Sequence, residues 1–299
     1  MADKKFPEYN PLASCRDGNA RSGVGSEGDE SMGDLEGYGC IRVSGEDAAS
    51  FLQGQLSSDV MALAVGEGQL SSLNDPKGRV LALPRLIRTP EGFEALLPRV
   101  LCDATARRLA MFVLRSRVTI RFLPDIRVFA ASGAGPADRL AAAGVPAMRL
   151  PGGTDLSMWA DAGDALGPRG AMDLLEADEL TLAEITAGIP EVYAETAGLF
   201  VAQMLDLDRL GAVSYEKGCY VGQEVIARAH HLGRVKRHMA RFESTGDCGP
   251  GDPVLVDGQK VGVVVRRAPG SGTRPALAVM KDGVSGELTA GSGRLLPAA

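Results

Sequence analysis

The chain has 299 residues, and its hydrophobic fraction of 45% is enough to bury a large core in two or three domains. The formal net charge of −6, from 32 basic and 38 acidic residues, argues against broad nucleic-acid binding and against direct DNA binding. One local basic patch is a candidate for contact with nucleic acid despite the negative net charge: the run R-V-K-R at 234–237. No apolar run approaches the roughly 20 residues of a membrane helix. The N-terminal residues do not resemble a secretory signal, so we expect a cytoplasmic protein with no membrane partner.

The cysteines and histidines argue against a resident metal site. The chain contains five cysteines, an odd number, and none of them has the C-x-x-C spacing. All three histidines lie within 230–238. This pattern argues against a disulfide framework or a thiolate zinc site, and it favours a reducing compartment.

Residues 1–35 are predicted to form a disordered tail because they are rich in Gly, Ser, Asp and Glu and contain few large apolar side chains. The tail contains G-V-G-S-E-G at 23–28, which matches the spacing of a dinucleotide-binding loop. That loop requires a strand before it and a helix after it, and the sequence indicates neither. We therefore interpret the match as accidental.

The ordered chain is predicted to alternate strands with short amphipathic helices from residue 36 onward. The apolar spacing predicts a helix over 45–56, begun by an S-x-x-D capping box at Ser44 and Asp47. The turn residues at 74–78 predict a β-hairpin over 71–88. The remaining predicted elements before residue 200 are a helix at 99–115, strands at 118–122 and 126–131, and helices at 136–143 and 178–187.

The character of the sequence changes near residue 238. Short apolar runs there alternate with Gly, Pro and Asp turns, which is typical of a small β-barrel or β-sandwich. The predicted organisation is therefore a tail (1–35), two intertwined α+β lobes (36–237) and a C-terminal β-barrel domain (238–299). The predicted class is α+β.

The segment "YEKGCYVGQEVIARAHH" at 215–231 contains the strongest candidates for chemistry. Residues 211–215 are predicted to end a strand, and 222–231 to form a helix. Cys219 would then lie near a helix N-terminus beside Lys217, and both features favour a thiolate. The alternative is that Cys219 is a small buried residue in a tight turn. His230 and His231 are predicted to be a solvated helix end, too far from Cys219 to act as its base.

The signature K-G-C-Y-x-G-Q-E-x-x-x-R at 217–228 resembles that of the YgfZ-type folate-binding proteins, which are relatives of the glycine-cleavage T-protein. Other stretches resemble the family in its order: "FLQGQLSSDV" at 51–60, "NDPKGRV" at 74–80, "AGIPEV" at 187–192 and "VAQMLDLDRLGAVSYEKGC" at 201–219. The resemblance runs from about Tyr38 to the C-terminus.

The resemblance implies a T-protein-like ring of three lobes around a funnel that holds tetrahydrofolate or a derivative. It implies an accessory role in iron–sulfur cluster assembly or repair, including for enzymes that modify tRNA, with iron–sulfur client or assembly proteins as partners. Such a protein is expected to be a monomer. The implied functional pair is Cys219 with Lys217, and the implied folate-binding residues are Gly218, Tyr220, Gln223, Glu224 and Arg228.

Two departures from the relatives affect this interpretation. An aminomethyltransferase needs an aspartate on the second hairpin strand, where this chain has Ala82 and Leu83. The relatives usually have an arginine where this chain has Glu184, which indicates either a different anion partner or a rearranged salt bridge. Two alternatives stay open: a folate-dependent aminomethyltransferase or demethylase, for which Asp59 or Asp75 would have to supply the carboxylate, and a non-enzymatic adaptor with a vestigial pocket.

Overall fold

The computed structural model describes residues 33–133, 135–161, 172–231 and 235–298. The G-V-G-S-E-G motif and most of the predicted tail lie outside these residues. Leu35, at the end of that tail, is buried, and its backbone N–H donates to the Val128 carbonyl at 2.8 Å. No helix among the described residues is long and apolar enough to cross a membrane.

The first part of the chain builds an antiparallel five-stranded sheet in the order β2-β5-β6-β1-β7. Its strands are β1 (Tyr38–Ser44), β2 (Gly68–Leu70), β5 (Arg85–Thr89), β6 (Gly92–Pro98) and β7 (Thr119–Leu123). Ile41 and Val43 of β1 are buried, and the half-buried Arg42 between them pairs with Glu94 of β6 at 2.7 Å. Strand β1 therefore lies in the centre of the core, with a charged pair beside it.

The helix predicted over 45–56 is α1 (Ala48–Gln55), and it buries Phe51 and Leu52 as the spacing predicts. The predicted capping box is wrong. The Asp47 side chain makes no cap hydrogen bond, because its Oδ2 instead accepts the backbone N–H of Arg117 at 2.7 Å. The hydrogen bond between Asp47 and the distant Arg117 thus takes the place of the predicted hydrogen bond at the start of the helix.

The predicted hairpin is shorter than expected. Strands β3 (Leu73–Asn74) and β4 (Val80–Ala82) pair around the predicted turn, but after Pro84 the chain crosses into the five-stranded sheet as β5. Helix α2 (Arg99–Ala110) is also shorter than predicted and ends before Phe112, which is 40% exposed.

The second sheet has the order β11-β8-β10-β9, with strands β8 (Arg127–Ser132), β9 (Met148–Arg149), β10 (Leu156–Asp161) and β11 (Asp173–Leu174). Helices α3 (Pro136–Ala142) and α4 (Ala177–Thr186) confirm the predicted helices at 136–143 and 178–187. Glu176 and Glu179 form a capping box at the start of α4. Phe129 and Trp159 stack in a separate small core on this sheet.

The predicted C-terminal barrel is confirmed as a closed six-stranded barrel in the order β12-β15-β14-β13-β16-β17. Its strands are β12 (Arg237–Ser244), β13 (Pro253–Val256), β14 (Gln259–Arg267), β15 (Arg274–Lys281), β16 (Leu288–Ala290) and β17 (Gly293–Pro297). Closure removes the open edges that six short strands would otherwise expose. The division into separate folding units at residues 36 and 238 stays a prediction.

A buried ion cluster joins the parts of the fold. Arg85 of β5 donates to Glu184 of α4 at 2.5 Å and to Glu191 at 2.7 Å. Arg266 of β14 donates to the other Glu184 oxygen at 2.8 Å, and Tyr38 of β1 donates to Glu191 at 2.8 Å. Two arginines and two glutamates make the cluster neutral. Glu184, at the position where the resemblance leads us to expect an arginine, therefore forms buried salt bridges. These bridges link the first sheet, α4 and the barrel.

Candidate functional site

The signature segment folds as a loop followed by a helix, α5 (Gln223–His231). The predicted strand end at 211–215 is wrong, because these residues lie in turns and coil. The backbone N–H of Ser214 donates to the Ser57 carbonyl at 2.9 Å, and that of Val221 donates to the Gly54 carbonyl at 3.3 Å. The loop is thus held by the end of α1 and the residues after it, rather than by a sheet.

Two glycines bring the signature loop against the hairpin turn. Gly222 has φ +83°, and a Cβ on it would lie 2.6 Å from the Asp75 carbonyl oxygen and 2.9 Å from the Gly78 Cα. Gly78 has φ +71°, and a Cβ on it would lie 3.0 Å from the Val225 Cβ and 3.2 Å from the Gly222 carbonyl oxygen. The motifs "NDPKGRV" and "GQE" therefore meet in space, and each contributes a glycine to the contact.

Lys217 points inward and is buried. Its Nζ donates to the carbonyls of Leu56 at 2.7 Å and Ser58 at 2.8 Å, and it lies 5.0 Å from the centroid of the Tyr220 ring. Desolvation lowers the pKa of Lys217 from 10.5 to about 8, against the opposing attraction of Asp59. The ammonium is held by two carbonyls instead of by Cys219.

We expect the pH dependence of stability to reveal this burial. Between pH 8 and 10.5 the unfolded chain binds more protons at Lys217 than the folded chain, so the free energy of unfolding should rise with pH in this window. Below pH 8 the buried ammonium lowers the free energy of unfolding by its full amount. Urea unfolding of the wild type and of Lys217→Met, at pH values below 8 and between 8 and 10.5, measures the change in stability with pH. The rise should be smaller in the variant, and equal slopes would contradict the assignment.

Four buried serines surround the carbonyls that hold Lys217: Ser57, Ser58, Ser71 and Ser72. Ser58 Oγ donates to Ser71 Oγ at 2.7 Å, and Ser72 Oγ donates to Ser57 Oγ at 2.8 Å. Ser57 Oγ donates to the Ala212 carbonyl at 2.6 Å. These bonds fix the backbone next to the signature loop, so the run "LSS" in two places of the sequence is explained by one network.

Three buried polar atoms near this loop have no hydrogen-bond partner among the described residues. They are Gln55 Oε1, Gln203 Oε1 and the Tyr220 hydroxyl. Gln203 Nε2 is engaged, because it donates to the Ile226 carbonyl at 2.7 Å and to the Tyr215 hydroxyl at 3.2 Å. Unpaired buried acceptors are costly, and they are what a ligand with N–H or O–H donors would satisfy.

Gly218 and Cys219 are exposed, in contrast to their neighbours Lys217 and Tyr220. A Cβ on Gly218 would have nothing within 4 Å, and the backbone there is not left-handed. Cys219 is a free thiol, so the alternative of a buried structural cysteine does not apply. The loop therefore offers open space and an accessible nucleophile side by side.

The other predicted ligand residues lie on α5. Gln223 is half-buried at the first position of the helix, and its backbone N–H donates to the Tyr220 carbonyl at 3.2 Å. Glu224 and Arg228 are exposed and pair with each other at 2.5 Å, one helical turn apart. The structure thus places Gln223 next to the loop and the Glu224–Arg228 pair on the solvent side of the helix.

His230 and His231 are exposed at the end of α5, as predicted. The sequence did not indicate that the Tyr215 and His230 rings stack at 3.8 Å between centroids, with His231 edge-on at 4.8 Å from His230. The sequence also did not identify Gln203 as a residue of the candidate site. Its one indication in the sequence is that it is a single polar amide within the apolar stretch "FVAQML".

Comparison with known proteins identifies relatives of this chain. Models of known protein families gave no match to the chain. The tRNA-modifying protein YgfZ of an Enterobacter species is 30% identical over 259 residues, which cover 79% of this chain and 76% of that protein. The tRNA-modifying protein YgfZ of Pectobacterium carotovorum is 31% identical over 223 residues, covering 68% of this chain and 67% of that protein.

A solved structure establishes the fold. The crystal structure of the glycine cleavage system aminomethyltransferase T from Bartonella henselae matches with a TM-score of 0.62 over 88% of this chain and 82% of that chain, at 18% sequence identity. This confirms the predicted T-protein-like α+β fold with a C-terminal barrel. The two relatives show that the chain belongs to the YgfZ family.

Proposed function

We propose that the chain is a cytoplasmic, folate-binding accessory protein that supports assembly or repair of iron–sulfur enzymes, including enzymes that modify tRNA. The observation that carries the proposal is the group of unpartnered buried polar atoms near the signature loop, together with the open space at Gly218. The names of the relatives support the link to tRNA modification.

The residues at the loop fit tetrahydrofolate. A pterin ring has N–H donors and ring acceptors, which suit Gln203 Oε1, the Tyr220 hydroxyl and the amide of Gln223. The anionic glutamate tail suits a cation, and Lys217 and Arg228 are the candidates. When bound, tetrahydrofolate supplies the capacity to carry one-carbon groups. The chain's own residues would bind and orient it, with Cys219 exposed beside it.

Two observations favour the accessory role over an aminomethyltransferase or demethylase. Ala82 and Leu83 are fully buried and have no side-chain group that accepts a proton. The carboxylates of Asp59 and Asp75 are occupied by local turns, since Asp59 accepts from Gln53 at 3.0 Å and Asp75 accepts the backbone N–H of Lys77 at 2.8 Å. The adaptor alternative differs in predicting no affinity for folate.

Iron–sulfur proteins enter the proposal as clients. A single exposed thiol does not hold a cluster, because clusters usually need four protein ligands. Cys219 is therefore proposed to act in a transient contact with a client or with bound folate. The protein is proposed to work as a monomer.

Replacing Cys219 by alanine tests the accessory role. In cells that lack the native protein, Cys219→Ala should fold normally but fail to restore the modified tRNA nucleosides that iron–sulfur enzymes produce. The wild type and Cys248→Ala, at a half-buried thiol in the barrel, should both restore them. Nucleoside analysis of total tRNA by mass spectrometry measures the result. Full restoration by Cys219→Ala would show that the thiol has no functional part.

A further inference from the structure

Helix α2 has an apolar face that points away from the protein. Its inward face buries Leu101, Cys102, Thr105 and Leu109. Val100, Ala104, Arg107 and Met111 are exposed and recur at the spacing of a second helical face. The exposed Leu114 lies beyond the C-terminal end of the helix, in the bend that follows it. These five residues are the α2 outer face.

The apolar side chains of this face are unusually exposed. Leu114 is 87% exposed, Val100 is 73% exposed and Met111 is 66% exposed. A single exposed leucine needs no explanation, but several large apolar side chains on one face indicate an interaction surface. Met is enriched at such surfaces because its flexible side chain adapts to different partners.

The segment that contains α2 and the residues after it has an excess of positive charge. Residues 99–121 contain six arginines and one acidic residue, although the whole chain is net negative. Of these arginines, Arg117 is paired with Glu46 and Asp47, which lie outside the segment. Arg107 pairs with that acidic residue, Asp103. Arg108 lies 6.0 Å from the Phe112 ring centroid, and neither Arg108 nor Arg115 has a carboxylate partner in the described part of the chain. A partner would therefore meet an apolar strip with unneutralised arginines beside it.

We propose that the α2 outer face docks a protein partner whose own surface is apolar at its centre and acidic at its rim. Arginine beside exposed apolar side chains is the composition enriched in protein interfaces, and opposite charge on the partner would speed and orient docking. Identifying this partner as an iron–sulfur client rests on the proposed function, whereas the surface itself does not.

Other occupants fit the face less well. RNA would be attracted by the arginines and would find one exposed aromatic ring, Phe112. It would gain little from Val100, Met111 and Leu114, since bases stack on aromatic rather than aliphatic side chains. A second copy of the chain would bring Arg108 and Arg115 against the same arginines of its partner, and Asp103 is already paired with Arg107. An anionic membrane would need a longer apolar face than this three-turn helix, which Asp103 and Arg107 also interrupt.

Site-specific photocrosslinking tests the proposal. A photoreactive residue in place of Ala104, in the full-length protein in cells, should form an adduct with a protein, whereas the same residue in place of the exposed Leu182 of α4 should not form that adduct. The captured protein, once identified and purified, should bind the wild type in calorimetry and bind Met111→Glu/Leu114→Glu about tenfold more weakly or worse.

Two further variants make the test selective. Arg108→Glu/Arg115→Glu should also weaken binding, and added salt should weaken wild-type binding, because the partner's rim is acidic. Leu182→Glu/Leu296→Glu, at exposed apolar sites elsewhere, should bind like the wild type. Three results would overturn the proposal. The first is an adduct with tRNA, with lipid or with a second copy of the chain. The second is the absence of any adduct, and the third is a captured protein whose affinity does not change in the Met111→Glu/Leu114→Glu and Arg108→Glu/Arg115→Glu variants.

Titration with tetrahydrofolate separates loss of docking from failure of the folate proposal. Met111→Glu/Leu114→Glu should bind tetrahydrofolate with the same affinity as the wild type.

Discussion

Glu184→Leu should destabilise the protein by about 3–5 kcal/mol, because it leaves Arg85 and Arg266 buried with only Glu191 to balance them. Burial by itself would raise the pKa of Glu184, but Arg85 and Arg266 outweigh that effect and hold the pKa below its ordinary value. The carboxylate therefore stays charged, and its loss leaves an uncompensated buried cation. Urea unfolding monitored by circular dichroism measures the change.

A double variant keeps this prediction testable if the single variant does not fold. Glu184→Leu/Arg266→Met removes one charge of each sign and leaves the neutral Arg85–Glu191 pair, so it should lose less stability than the sum of the two single changes. Glu287→Ala serves as the control, since its pair with Arg294 is largely exposed and should contribute no more than about 1 kcal/mol. If the stability lost by the double variant equalled the sum of the losses of Glu184→Leu and Arg266→Met, the two residues would not be coupled in the buried cluster.

Gly222→Ala should destabilise the protein by about 2–4 kcal/mol and should also weaken any ligand binding at the signature loop. The new Cβ would lie 2.6 Å from the Asp75 carbonyl oxygen at a left-handed backbone conformation. The hairpin turn and the loop would have to separate, and the loop carries Lys217 and Tyr220. Thermal unfolding and calorimetry on the same sample measure the two effects.

Gly211→Ala is the matched control for Gly222→Ala. Gly211 also has a left-handed backbone, at φ +71°, but a Cβ there would have nothing within 4 Å. Gly211→Ala should therefore lower the free energy of unfolding by only about 1–2 kcal/mol, which is the cost of placing alanine in a left-handed backbone conformation. It should leave ligand binding unchanged. Equal losses at the two glycines would mean that the close contact between turn and loop has no energetic importance.

Periodicity and turn chemistry predict the elements that depend on local sequence. Helix α1, helix α5 and the short strands of the C-terminal domain follow directly from apolar spacing and turn residues. The same residues are also typical of a sandwich, and the pairing of β12 with β17 closes the barrel. The capping box at Asp47 failed because the backbone of Arg117, distant in sequence, competes for the same carboxylate. Residues 211–215 have the composition of a strand, yet hydrogen bonds from the loop after α1 hold them outside any sheet.

The signature located the candidate loop but not the directions of its side chains. Adjacent residues diverge, since Lys217 is buried against the Leu56 and Ser58 carbonyls while Cys219 is exposed. Glu224 and Arg228 satisfy each other, which helical spacing alone predicts. The serine network reaches the loop before the signature through the bond from Ser57 to the Ala212 carbonyl, 155 residues away, and no local pattern predicts such a contact.

Folate is proposed to bind beside the signature loop, and anaerobic calorimetric titration with tetrahydrofolate measures that binding. The decisive comparison is the wild type against Gly218→Val, with Gly37→Val as the control, because both glycines have open surroundings and no left-handed backbone. We predict that the wild type and Gly37→Val bind saturably, while Gly218→Val folds normally but binds weakly or not at all. Absence of binding by the wild type, or equal binding by all three proteins, would contradict the account.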